Sequence, residues 1–177
     1  MAVRLLATGH NKEGKATVLS DRRIEPVSIA LAPGFETHEL WSTRGERAVP
    51  HVGDLPGVPN YFPDRNGTVF RVAVIPPSAD GLLATDLDMD AALAEAQAKL
   101  PGLIEHLEPG ANGMHTTDSV DYGIVLEGEV CLELDDGVEV KLEAGACLVQ
   151  NGTRHAWRNR SGKPCVMAFV LLGAERR

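Results

Sequence analysis

The sequence predicts an all-β jelly-roll barrel with an N-terminal strand extension and one short helix. Three observations carry that reading. Apolar and charged residues alternate with a period of two through Glu129–Asp135 and again through Val138–Glu143, the signature of strands with one wet face. The pairs Asp136-Gly137 and Asn151-Gly152 punctuate these runs as tight turns,. Short strand-like runs with glycine turns recur along most of the chain, which is how sandwiches and barrels read.

The elements follow in order. Val3–Ala7 and Thr17–Ser20 flank the polar turn Asn11-Lys12-Glu13-Gly14 and predict a hairpin,. Val27–Leu31 and Phe35–Ser42 are two further strands parted by Pro33-Gly34. Residues 49–66 are rich in Pro, Gly and Asn and predict a long surface loop,. Thr68–Ile75 (TVFRVAVI) predicts a strand, stopped by Pro76-Pro77 because proline cannot donate to a ladder,. Residues 87–100 are rich in Ala, Leu, Glu, Gln and Lys, all good helix formers,. Asp88 caps this helix, Pro101 follows its end, and Met89, Leu93 and Leu100 form its apolar stripe,. Val166–Leu172 is nearly all apolar and predicts a buried closing strand. The division expected is one domain: residues 1–108 as an extension packed on the barrel, residues 109–177 as its core.

Composition narrows the function classes. A chain of 177 residues with 44% hydrophobic and 24% charged residues suits one globular core,. A formal net charge of -8 and a pI near 5.2 argue against nucleic acid as a partner,. No run is long enough to span a bilayer, and the N-terminal stretch does not read as a secretion signal,. Cys131, Cys147 and Cys165 have no CxxC spacing. They read as reduced, mostly buried thiols of a cytoplasmic protein. The partner expected is a small-molecule substrate, with no membrane. The strands in Val3–Ser42 carry edges that need covering, which predicts a homodimer.

The chemistry concentrates at His115, Asp121 and His155. Closure of the sheets brings two imidazoles and a carboxylate into one interior, a combination suited to metal binding or to acid–base work. The plainer alternative is a set of core residues bonded to one another. The spacing around these three resembles the cupins. The first cupin motif is a glycine, five residues, His-x-His, three or four residues, Glu, six residues, Gly. Here Gly110 precedes His115 by one residue fewer, Thr117 stands at the second His, Asp121 at the Glu, and Gly128 follows after six residues. The second motif is a glycine, five residues, Pro-x-Gly, two residues, His, three residues, Asn. Here the spacing from Gly145 to Asn151 and from His155 to Asn159 fits, with Asn151 in place of Pro and Gly152 one position early.

The resemblance covers about the last third of the chain. It implies a cupin-type double-stranded β-helix and a divalent transition metal (Fe, Mn, Ni or Zn) held by His115, Asp121 and His155. Thr117 and the shorter Asp121 are departures from the pattern. No nucleotide cofactor is expected. Among the neighbours, Trp157 and Asn159 share parity with His155,. Trp157 is a candidate substrate platform or a core indole, and Asn159 a turn residue satisfying backbone groups. Arg71 is a charge in an apolar strand: turned inward it would clamp a substrate carboxylate, turned outward it would be solvated. Trp41 is a third substrate-binding candidate, and Tyr122 should point away from Asp121. Asp118 reads as a solvated turn carboxylate. His10, His51 and His106 sit in loop-like stretches without a signal.

The function expected is a small-molecule enzyme. A metal-dependent lyase or isomerase, catalysing dehydration, decarboxylation or enolisation, stands first. An iron(II)-dependent dioxygenase of a small aromatic or thiol substrate is one alternative. A non-catalytic binding barrel is the other.

Overall fold

The computed structural model describes residues 2–45, 49, 55–78, 82–84 and 86–177. His51 and the centre of the Pro-rich stretch lie outside them. The chain builds a hairpin, β1 (Val3–His10) with β2 (Ala16–Ile24), then β3 (Val27–Ser28), β4 (Glu36–Thr43) and β5 (Thr68–Ile75). The helix α1 (Met89–Lys99) follows, then β6 (Ser119–Glu127), β7 (Glu129–Glu133), β8 (Glu139–Glu143), β9 (Cys147–Asn151), β10 (Ala156–Arg158) and β11 (Cys165–Gly173). A six-stranded sheet runs β3-β4-β5-β11-β6-β9 and a three-stranded one runs β10-β7-β8. The two sheets pack face to face as an open jelly roll, through Ile75, Val125, Val130, Cys165 and Met167.

The β1–β2 hairpin forms around Asn11, whose carboxamide oxygen accepts from the backbone N–H of Glu13 and Lys15. It lies on the outer face of the large sheet, where Val3, Leu5 and Ile24 pack against Leu40, Val72 and Val166. This explains why both faces of TVFRVAVI are apolar. Phe70, Val72 and Val74 face the hairpin, while Arg71, Ala73 and Ile75 face the interior. Beyond the hairpin, Tyr122, Ile124, Leu126 and Val149 stay exposed.

Several expectations need correcting. The strand expected over Val27–Leu31 is only Val27–Ser28, and Ile29 and Leu31 enter the core beside the helix instead. Asp88 does cap α1, accepting from the N–H of Ala91. The buried side is Ala92 and Ala96 followed by Leu100, not Met89, which is exposed. Small residues let the helix approach closely over Ile29, Leu31 and Phe35. The apolar residues Val138 and Val140 are exposed because β8 is the edge of the small sheet. Of the cysteines only Cys165 is buried; Cys131 is half-buried and Cys147 exposed.

The segment after Pro59 is not a free surface loop. The N–H of Tyr61 donates to the carbonyl of Pro101 at 2.7 Å, and the N–H of Asn66 to that of Gly173 at 3.1 Å. This close approach needs a residue without a side chain at Gly173, where a Cβ would overlap the carbonyl of Asp64. Gly173→Ala is therefore expected to cost about 1–3 kcal/mol, the usual range for forcing atoms into filled space. A chemical-denaturation midpoint checks it, and an unchanged midpoint would mean that the loop is not seated here.

Candidate functional site

His115 and His155 are joined backbone to backbone. The N–H of each donates to the carbonyl of the other, at 2.9 and 3.0 Å. Directly opposed residues of this kind present their side chains on one face, and the ring centroids stand 4.2 Å apart. The Nδ1 atoms are committed locally. That of His115 lies 3.0 Å from the carbonyl of Gly113, and that of His155 lies 2.9 Å from the carbonyl of Thr153. A carbonyl only accepts, so each Nδ1 carries a hydrogen and each Nε2 keeps its lone pair.

Burial pushes both rings toward the neutral form. It lowers the pKa of His115, with the Gly113 carbonyl opposing. It lowers that of His155 to about 3, with the proximity of His115 adding to the effect. A desolvated imidazolium beside a second imidazole is costly, so the pair is uncharged at neutral pH.

Both rings line a cavity of about 120 Å³ between the sheets. Asp121, Arg71, Trp157 and Arg158 line it too, within a mostly apolar wall that includes Phe35, Tyr61, Phe62, Leu82 and Phe169. Asp121 comes from β6, with its neighbour Tyr122 turned out to solvent. Its Oδ1 is buried without a hydrogen-bond partner. Burial pushes its carboxyl pKa up, against the Ser119 hydroxyl and the Arg71 charge.

Arg71 points inward and is 2% exposed. Its Nη2 pairs with Glu39 at 3.3 Å and donates to the carbonyl of Tyr61, while the guanidinium lies 3.5 Å above the Tyr61 ring. Its Nε has no hydrogen-bond partner. Trp157 stands edge-on to His155 and to Phe169, at 5.7 Å from each.

The structure thus gathers His115, Asp121, His155, Trp157 and Arg71 round one hollow. Trp41 is not among the residues lining it. A bulge between Glu39 and Trp41 shifts the register of β4 ahead of this residue, which parity alone does not foresee. Asn159 is buried and donates to the carbonyls of Ile75 and Lys163, the turn role expected. Asp118 pairs with Arg176 on the surface. His106, passed over in the sequence, sits 4.5 Å from the ring of Phe62. Tyr61 and Phe62 were hidden in a stretch that composition assigns to the surface. Two consecutive aromatics inside a polar loop were the available signal.

The fit to a metal is incomplete. Imidazoles whose Nδ1–H is tied to a carbonyl are oriented as ligating histidines are. Thr117, where the resemblance expects another imidazole, is buried and accepts from the hydroxyl of Ser119 at 2.9 Å. Among the described residues no group of three or more His, Cys, Asp or Glu stands close enough together to hold an ion. Asp121 shares the cavity without completing a cluster, so the roles below rest on the imidazoles and the carboxyl alone.

Comparison with known proteins agrees with the motif spacing. Residues 103–171 match the family model of the Cupin domain. The chain is 51% identical to Phomopsin biosynthesis cluster protein C' of Diaporthe leptostromiformis over 77 residues, covering 41% of this chain and 39% of that protein. It is 44% identical to the Cupin-domain-containing oxidoreductase virC of Hypocrea virens over 62 residues, covering 33% of this chain and 32% of that one. The chain thus spans about two fifths or less of the length of these relatives. Among solved structures, the polyketide cyclase RemF from Streptomyces resistomycificus aligns at a TM-score of 0.47 and 16% identity, over 84% of this chain and 73% of that one. Residues 103–171 of the chain are a cupin domain.

Proposed function

We propose that the protein is a small-molecule enzyme of lyase or isomerase type, moving a proton on a substrate enclosed between the two sheets. The observation that carries this reading is the pair of buried imidazoles, 4.2 Å apart, with both Nδ1 atoms tied to carbonyls. Each Nε2 is then an acceptor, able to orient a hydroxyl or take a proton from carbon. An imidazolium is costly in this buried pair, so the proton that one ring takes is passed on rather than held. Asp121, whose carboxyl is pushed toward its protonated form by burial, returns a proton in this reading. Removal and return of a proton are the steps shared by enolisation and dehydration.

The experiment is proton exchange. Candidate carbonyl compounds are incubated with the protein in D2O under nitrogen and followed by NMR. Enzyme-catalysed deuterium uptake is expected, and His155→Gln and His115→Gln should each slow it by at least about 100-fold, the lower end for a positioned base. Uptake unchanged in the double variant would overturn the proposal. The name of the Hypocrea relative supports a second reading, an oxidoreductase. Turnover that requires both oxygen and added iron would favour it.

A further inference from the structure

We infer that the cavity takes an uncharged, mostly apolar molecule of about one six-membered ring's bulk, which donates a hydroxyl hydrogen to Asp121 and accepts an N–H from Arg71. The inference deepens the reading above and rests on the same cavity. Three observations support it.

The first is size and lining. A cavity of about 120 Å³ walled by Phe35, Phe62, Leu82, Trp157 and Phe169 is close to apolar cavities that hold a benzene,. The second is charge. Both cations at the wall are already neutralised: Arg71 by Glu39 at 3.3 Å and Arg158 by Glu133 at 2.6 Å. The imidazoles spend Nδ1 on the carbonyls of Gly113 and Thr153, which leaves only a lone pair on each Nε2. An anionic ligand would therefore enter a low-dielectric space where the described residues offer no free cation, beside the carboxyl of Asp121, at a large desolvation cost,. The carboxylate clamp that Arg71 suggests from sequence is thus already engaged within the protein.

The third is the pair of orphaned atoms. Asp121 Oδ1 and Arg71 Nε are both buried without hydrogen-bond partners. They belong to side chains that line the same cavity and feel each other electrostatically. Buried polar groups left unpaired are costly, and a ligand that satisfies both recovers that cost. Asp121 Oδ1 lacks a donor and Arg71 Nε lacks an acceptor. A neutral ring bearing a hydroxyl beside a carbonyl or second hydroxyl supplies both.

Fluorine NMR titration with three probes at neutral pH tests this. The probes are 4-fluorophenol, 4-fluorobenzoate and fluorobenzene. The phenol is expected to bind at least about tenfold tighter than the benzoate, and at least about fivefold tighter than fluorobenzene, as one buried hydrogen bond allows. Asp121→Leu should erase the phenol's advantage over fluorobenzene. If that variant does not fold, the comparison of phenol with fluorobenzene on the unaltered protein still reads the hydroxyl. Benzoate binding as tightly as the phenol, or no difference between phenol and fluorobenzene, would overturn the inference. A preference for the phenol in a protein that shows no deuterium exchange would leave this inference standing and remove the proposed reaction.

Discussion

Arg71→Met is expected to destabilise the protein by about 3–5 kcal/mol, the cost of removing one partner of a buried ion pair. The size of the effect comes from what stays behind. Glu39 would keep a charge in an environment where its side chain is 14% exposed, facing a thioether. Glu39 Oε2 makes the ion pair without hydrogen-bond alignment, and its Oε1 accepts from Thr37. The Tyr61 ring would lose the guanidinium stacked on it and the Tyr61 carbonyl its donor, so the loop wall of the cavity would loosen as well. Neutralising the survivor should recover much of the loss, so Arg71→Met with Glu39→Gln is expected to be clearly more stable than Arg71→Met alone. Urea unfolding of the three proteins measures this. A single variant within about 1 kcal/mol of the parent, as for exposed pairs, would show that the pair is not buried as described.

Acid should destabilise the protein well before its exposed carboxylates protonate. His155 has a folded pKa of about 3 against 6.5 when unfolded. The unfolded chain therefore binds a proton between those values that the folded chain refuses. Stability is intact above the unfolded value and falls as the pH drops toward the folded one. Between pH 7 and pH 5 this removes about 2 kcal/mol for His155 alone. His115 shifts in the same direction and adds to the loss. Asp121 acts oppositely: its raised pKa costs stability as the pH rises above the unfolded carboxyl value, which blunts the acid loss at the bottom of the range,. His155→Gln should flatten the pH dependence of the denaturation midpoint between pH 7 and pH 5. A variant with the same slope as the parent would mean that the ring is not held neutral.

Local chemistry made most of the fold legible. The Asn11 turn, the Pro76-Pro77 stop, the Asp88 cap and the Asp136-Gly137 turn each mark a boundary that the structure keeps. What escaped was set by contacts distant in sequence. The direction of Arg71 depends on the hairpin laid over Phe70 and Val72, and no pattern within TVFRVAVI reveals that cover. The bulge ahead of Trp41 defeats a parity argument made inside one strand. The helix buries Ala92 and Ala96 because the core beside it leaves room for small residues, where hydrophobic periodicity favoured Met89. Of the site, the motif spacing singled out His115, Asp121 and His155, and all three line the cavity. Tyr61 and Phe62 did not emerge because composition gives loops no depth, while the anchors at Pro101 and Gly173 draw this one inward.

The account turns on two rings that stay uncharged and keep their Nε2 atoms bare inside one hollow. Long-range proton–nitrogen NMR of the imidazoles, followed from pH 8 to pH 5, reads both properties directly. The result predicted is that His115 and His155 both carry their hydrogen on Nδ1 and that His155 remains neutral down to pH 5. A hydrogen on Nε2 of either ring, or protonation of His155 above pH 5, would contradict it.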